Sequence, residues 1–165
     1  MPVMGVTGHM DLTEETTRLV RDALGDLLAR AAAPGSRLVG VSCLAPGADS
    51  LFAHAVVEAG GSLVAVLPSR DHRDAHVASG HAQDFDRLLT AASDVVLMPF
   101  EAACDDAYVA ANDELLRRVD LLVAVWDGTA PPGKRGGTAD TVRAARQAGV
   151  PVRVVWPANG ARRGA

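Results

Sequence analysis

Short apolar runs and helix-period patterns alternate from one end of this 165-residue chain to the other, and few folds accommodate that order. The strand candidates are 3–6, 38–44, 63–67, 95–98, 121–126 and 152–155. Their apolar residues are consecutive rather than alternating, the pattern of strands covered on both faces of a parallel sheet. Parallel neighbours need a crossover, and a helix is the usual one. Leu19, Val20, Ala23, Leu24, Leu27 and Leu28 recur at helical spacing after Asp11 or Thr13, either of which can cap that helix. Leu51, Phe52, Ala55, Val56 and Ala59 form a second apolar stripe, and further helices are expected over about 81–92, 105–119 and 136–148. The fold class is therefore α/β, a doubly wound, mostly parallel sheet with helices on both faces. Ser69 to Gly80 is polar, lacks a period and reads as an irregular, lid-like stretch.

Composition removes several functions. The net charge is −4, the only lysine is Lys134 and the arginines are scattered, so there is no electrostatic footprint for nucleic acid. Cys43 and Cys104 are far apart in a chain of two cysteines, which excludes a disulfide framework or zinc ribbon. No apolar run approaches the roughly 20 residues of a membrane span. The first residues lack the basic and apolar regions of a signal peptide. A cytoplasmic protein without a membrane partner is expected.

In doubly wound sheets, ligands lie beyond the carboxyl ends of the strands, where strand order reverses. Four strand ends carry small or polar residues: Thr7-Gly8-His9, Ala45-Pro46-Gly47-Ala48-Asp49, Leu67-Pro68-Ser69, and Asp127-Gly128 with Gly136-Gly137-Thr138. Each is also what an ordinary tight turn looks like; at one sheet edge they would line a crevice. The backbone N–H groups of Gly136, Gly137 and Thr138, opening a helix, suit a phosphate. The dinucleotide fingerprint is absent after the first strand, where only Gly8 stands. Gly128 to Lys134 matches seven positions of a P-loop, but Arg135 occupies the magnesium-binding hydroxyl position and Pro131-Pro132 remove two donors, which rejects an NTPase. His72 and His76, four apart without the zinc-protease glutamate, read as solvated side chains rather than a metal site. No Gly-x-Ser-x-Gly elbow is present. Tyr108 and Asn112 share a helix face that either looks into the crevice or packs.

Val6-Thr7-Gly8-His9, Pro46-Gly47-Ala48-Asp49, Ser93-Asp94, Tyr108 to Asn112, and Val119 to Gly128 followed by Gly136-Gly137-Thr138-Ala139 together resemble one superfamily. It is the SLOG-type nucleotide-binding group that includes the Lonely Guy phosphoribohydrolases and the Rossmann-like domains of DNA-processing protein A. The resemblance covers nearly the whole chain. It implies a Rossmann-like nucleotide-binding domain over 1–158. Residues 159–165 read, from their short polar composition, as a flexible tail in which Arg162 and Arg163 are frayed. The resemblance implies phosphate at Gly136, Gly137 and Thr138, a pocket also formed by Gly8, His9, Gly47, Ala48, Asp49, Pro68, Asp127 and Gly128, and a homodimer. The alanine-rich helix 105–119 is the candidate for part of the dimer contact.

The Lonely Guy enzymes carry a glutamate three residues after the Gly-Thr threonine; here that position is Thr141, and Asp140 is turned by about 100° on the helix. Met10 stands where many relatives have arginine. The expected function is binding or sensing of a nucleotide or phosphoribosyl-type metabolite, without a cofactor or metal, with Asp127 holding ribose hydroxyls. The alternative is an N-glycosidic hydrolase acting on nucleoside monophosphates, with Asp127, Asp49 or Asp140 as its acid.

Overall fold

The structure, a computed structural model, describes residues 2–76, 80–131, 133 and 135–164. Strands β1 (Val3–Gly8), β2 (Val39–Ser42), β3 (Ser62–Leu67), β4 (Asp94–Leu97), β5 (Leu121–Val125) and β6 (Val152–Val154) form one sheet in the order β4-β3-β2-β1-β5-β6. Every pairing is parallel. The helices are α1 (Glu14–Ala31), α2 (Ala48–Glu58), α3 (His72–Ala75), α4 (Ala82–Ala91), α5 (Asp105–Arg118) and α6 (Thr138–Gln147). The expected doubly wound α/β fold is the one observed. Strand order reverses at β1, which lies between β2 and β5. The crevice expected of such sheets therefore falls at the carboxyl ends of these three strands.

Local chemistry sets the elements. Thr13 Oγ1 accepts the Thr16 N–H at 3.2 Å, and Glu14 and Glu15 stand in the positive first turn of α1. Val20, Leu24, Leu27 and Leu28, at helical spacing, are buried. With Phe52, Val56, Phe85 and Leu88 they pack on one face of the sheet. Ala111, Leu115, Leu116 and Ala145 from α5 and α6 pack on the other. Each large apolar side chain so buried contributes about 1.5–3 kcal/mol.

Several expectations are corrected. The polar stretch 69–80 is not irregular throughout: it contains α3, with His72 1% exposed, while 77–79 lie outside the described residues. Strand β2 ends at Ser42 rather than Leu44, because Leu44 has φ 56°, a left-handed conformation that a leucine adopts only under constraint. The residues after 160 are not free. Leu12 and Arg162 form an antiparallel bridge, Thr13 N–H donates to Ala161 O, and Ala161 N–H donates to Thr16 Oγ1. Of the alanines of α5, Ala107 and Ala111 are buried within the chain's own fold, while Ala110 is half-buried. Among the described residues no helix is long and apolar enough to cross a membrane.

Candidate functional site

A cleft of about 360 Å³ opens at the carboxyl ends of β1, β2 and β3, beside the start of α6. Its central wall is Thr7-Gly8-His9 at the end of β1. A side chain on Gly8 would collide with Ala48 Cβ and come within 2.8 Å of Val125 Cβ, so only glycine lets α2 and β5 close on β1 here. Gly47 and Ala48 support that wall from behind. Ala48 N–H donates to His9 O at 3.1 Å, and Gly47, at φ 78°, would carry a Cβ only 2.6 Å from the same carbonyl.

The start of α6 forms a second wall. Gly136 N–H donates to Asp140 Oδ2 at 3.1 Å, so the three free amides expected here are reduced to two, Gly137 and Thr138. Neither of these amides has a hydrogen-bond acceptor among the described residues, and both residues line the cleft together with the Thr138 hydroxyl group. Positive potential at the helix start makes this an anion-accepting wall. Helix α5 backs it. Asn112 Nδ2 donates to Gly136 O at 3.1 Å, and Gly136, at φ 75°, abuts Tyr108. Tyr108 and Asn112 thus do both things left open by their spacing: they pack on the loop and line the cleft. Thr141, at the glutamate position of the hydrolases, is buried and donates its hydroxyl to Gly137 O at 3.0 Å. Asp140 is engaged by Gly136 and Arg143.

The floor is uncharged or nearly so. Asp49 is 8% exposed; its Oδ2 accepts the Ala45 N–H at 3.3 Å. Burial pushes its carboxyl up to about 7, and the Ala45 amide offsets part of that rise. Beside it, burial and the Asp49 charge raise the Cys43 thiol well above its usual value. His72 Nε2 donates to Cys43 O at 2.8 Å, and burial, with His76, lowers its pKa to about 4, so the ring is neutral. The reading of His72 as a solvated side chain is therefore overturned. Its partner carbonyl is available because the chain turns at Leu44, whose own carbonyl meets His81 Nε2 at 2.9 Å. Among the described residues no three His, Cys, Asp or Glu side chains are placed to hold a metal ion.

The mouth is an ionic cluster that local patterns do not reveal. Arg162 Nε donates to Asp11 Oδ1 at 2.8 Å, and Nη1 lies 3.6 Å from Asp127 Oδ2. Asp127 Oδ1 accepts the Thr129 N–H at 2.9 Å and the Thr129 hydroxyl at 2.7 Å. Burial alone would raise the Asp127 carboxyl, but the two Thr129 hydrogen bonds outweigh it and hold the group at about 2. His9 Nε2 lies 3.1 Å from the Asp127 amide and 3.0 Å from Asp127 Oδ1, and these call for opposite proton states. The amide proton is fixed. Burial and then Arg162 lower the His9 pKa, so the neutral ring accepting from the amide is the state that fits.

Of the residues named from sequence, Gly8, His9, Asp49, Pro68, Gly136, Gly137 and Thr138 line the one cleft. Gly47 and Ala48 stand behind it, Asp127 braces the mouth, and Gly128 lies on a separate shallow groove beside Trp126. Asp11, Cys43, His72, Arg135 and Arg162 line the cleft without having been selected. The P-loop reading falls partly on Pro132 and Lys134, outside the described residues.

No protein-family model and no curated protein matches the chain. Solved structures share its fold. DNA processing protein A (DprA) from Streptococcus pneumoniae is 18% identical with a TM-score of 0.68, over 96% of this chain and 52% of that one. The chain thus spans about half the length of that relative. DprA from Helicobacter pylori, which binds single-stranded DNA, is 14% identical with a TM-score of 0.64, over 98% of this chain and 68% of that one. The molybdenum cofactor (Moco) carrier protein from Chlamydomonas reinhardtii is 24% identical with a TM-score of 0.57, over 93% and 75%. At the level of fold, the resemblance to DNA-processing protein A holds.

Proposed function

We propose that the protein binds a phosphorylated, nucleotide-type metabolite in the cleft at the end of β1, with the phosphate on Gly137 and Thr138. One observation carries this reading: two helix-start amides without protein acceptors face a cleft at the switch point of a doubly wound sheet. A shared fold with a cofactor carrier and with DNA-binding proteins supports a ligand-binding role for this crevice. Binding is favoured over N-glycoside hydrolysis because the hydrolases' acid position is a buried threonine and Asp127 is engaged by Thr129 and faces Arg162. The homodimer implied by the resemblance is part of the same proposal, and light scattering at micromolar concentration checks it: a dimer mass upholds it and a monomer mass removes it.

Gly137 has φ −85° and ψ −177°, an extended conformation that valine adopts without strain. Gly137→Val is therefore expected to fold and to obstruct the phosphate. Isothermal titration calorimetry (ITC) with AMP and GMP tests the proposal. Loss of affinity by tenfold or more in the variant supports it, and unchanged affinity places the site elsewhere.

A further inference from the structure

Asp49 presents to the cleft a carboxyl oxygen that no described residue uses. The residue is 8% exposed and lines the cleft, its Oδ2 is bound to the Ala45 amide, and Oδ1 has no hydrogen-bond partner among the described residues. An acceptor placed in this way on the wall of a cleft is open to a donor on a ligand. The other acids near the mouth are occupied: Asp11 by Arg162, Asp127 by Thr129, and Asp140 by Gly136 and Arg143.

Position determines which part of a ligand meets Asp49. Asp49 follows β2, Gly137 and Thr138 follow β5, and β1 lies between. Helices α2 and α6, which these groups open, both pack on β1, and Asp49, Gly137 and Thr138 line one cleft. In a phosphorylated nucleotide-type ligand the hydroxyl donors next to the phosphate belong to the pentose.

We propose that Asp49 accepts hydrogen bonds from the sugar hydroxyls of a phosphorylated pentose whose phosphate lies on Gly137 and Thr138. This rests on the phosphate reading above, and it moves the hydroxyl-binding role from Asp127 to Asp49. The pentose phosphate is common to a nucleoside monophosphate and a free sugar phosphate.

The test is ITC of the wild type, Asp49→Ala and the shape-preserving Asp49→Asn with AMP, 2′,3′-dideoxy-AMP, ribose 5-phosphate and inorganic phosphate. The titrations are run at pH 8, where the Asp49 carboxyl is ionised, and a hydrogen bond to a charged acceptor corresponds to about a 10- to 100-fold change in affinity. The wild type should bind AMP at least tenfold more tightly than the dideoxy analogue, and in Asp49→Ala the gap should close to within about threefold. Asp49→Asn should fold like the wild type and narrow the same gap. Ribose 5-phosphate binding close to AMP identifies a free sugar phosphate as the ligand class; much weaker binding identifies a nucleotide, and both uphold the role of Asp49. Equal wild-type affinity for AMP and its dideoxy analogue, or a gap that persists in Asp49→Ala, overturns that role while leaving the phosphate site standing. A folded wild type that binds none of the four probes overturns both.

Discussion

Replacing Asp49 by asparagine should stabilise the unliganded protein, and by an amount that grows with pH. Burial lifts the Asp49 carboxyl to about 7 in the folded protein, against an ordinary value of 3.8. Below pH 4 the group is protonated in both folded and unfolded chains and has no pH-dependent effect. Between pH 4 and 7 the unfolded chain releases the proton while the folded chain keeps it. Wild-type stability from this group therefore falls as pH rises, by about 1.4 kcal/mol per pH unit, and levels off above 7. The total is about 4 kcal/mol. Asparagine keeps the shape, can accept the Ala45 N–H through its carbonyl oxygen, and does not titrate. Subtracting wild type from variant cancels the contributions of His9, His72 and Asp127. Urea unfolding at half-unit steps from pH 4 to 8 should show the two proteins alike near pH 4, and the variant more stable by up to about 4 kcal/mol at pH 8. In thermal melts this corresponds to about 8–16 °C for a chain of this size. Parallel stability curves across the range would refute the reasoning, because they would mean that Asp49 ionises as freely as an exposed carboxylate.

Asp127 should behave in the opposite sense. Its carboxyl is held near 2, so its contribution is present above pH 4 and lost as pH falls towards 2. Asp127→Ala should lower stability at pH 7 by roughly 1–2 kcal/mol in urea unfolding. Gly8→Ala should destabilise by about 1–3 kcal/mol, since its methyl meets Ala48 and Val125 at once; a calorimetric melt checks this. Arg162→Ala removes the cation that depresses His9, so the His9 imidazole should titrate at higher pH in an NMR titration.

The sheet was legible because its strands are uninterrupted apolar runs, and α1 because Thr13, Glu14, Glu15 and Thr16 write a helix start into four residues. The glycine-rich corners were legible for the same local reason. What escaped depends on distance along the chain. Arg162 and Asp11 are 151 positions apart, and no periodicity joins them, so the final segment read as a loose tail. His72 looked like a surface histidine because its acceptor, Cys43 O, is exposed to it only through the unusual turn at Leu44. The roles of Asp49 and Asp127 were harder to separate, since both follow strand ends. A clue was present in Asp127-Gly128-Thr129: an aspartate bonded to the backbone two residues on is a self-contained turn, and such an acid is already occupied.

A crystal structure of the protein with AMP would show outright whether a phosphate sits at the start of α6. Phosphate oxygens are expected within about 3 Å of the Gly137 and Thr138 amides, with Asp49 on the sugar side of the same cleft. Clear density for AMP with its phosphate held elsewhere, and the Gly137 and Thr138 amides facing only solvent, would contradict that placement.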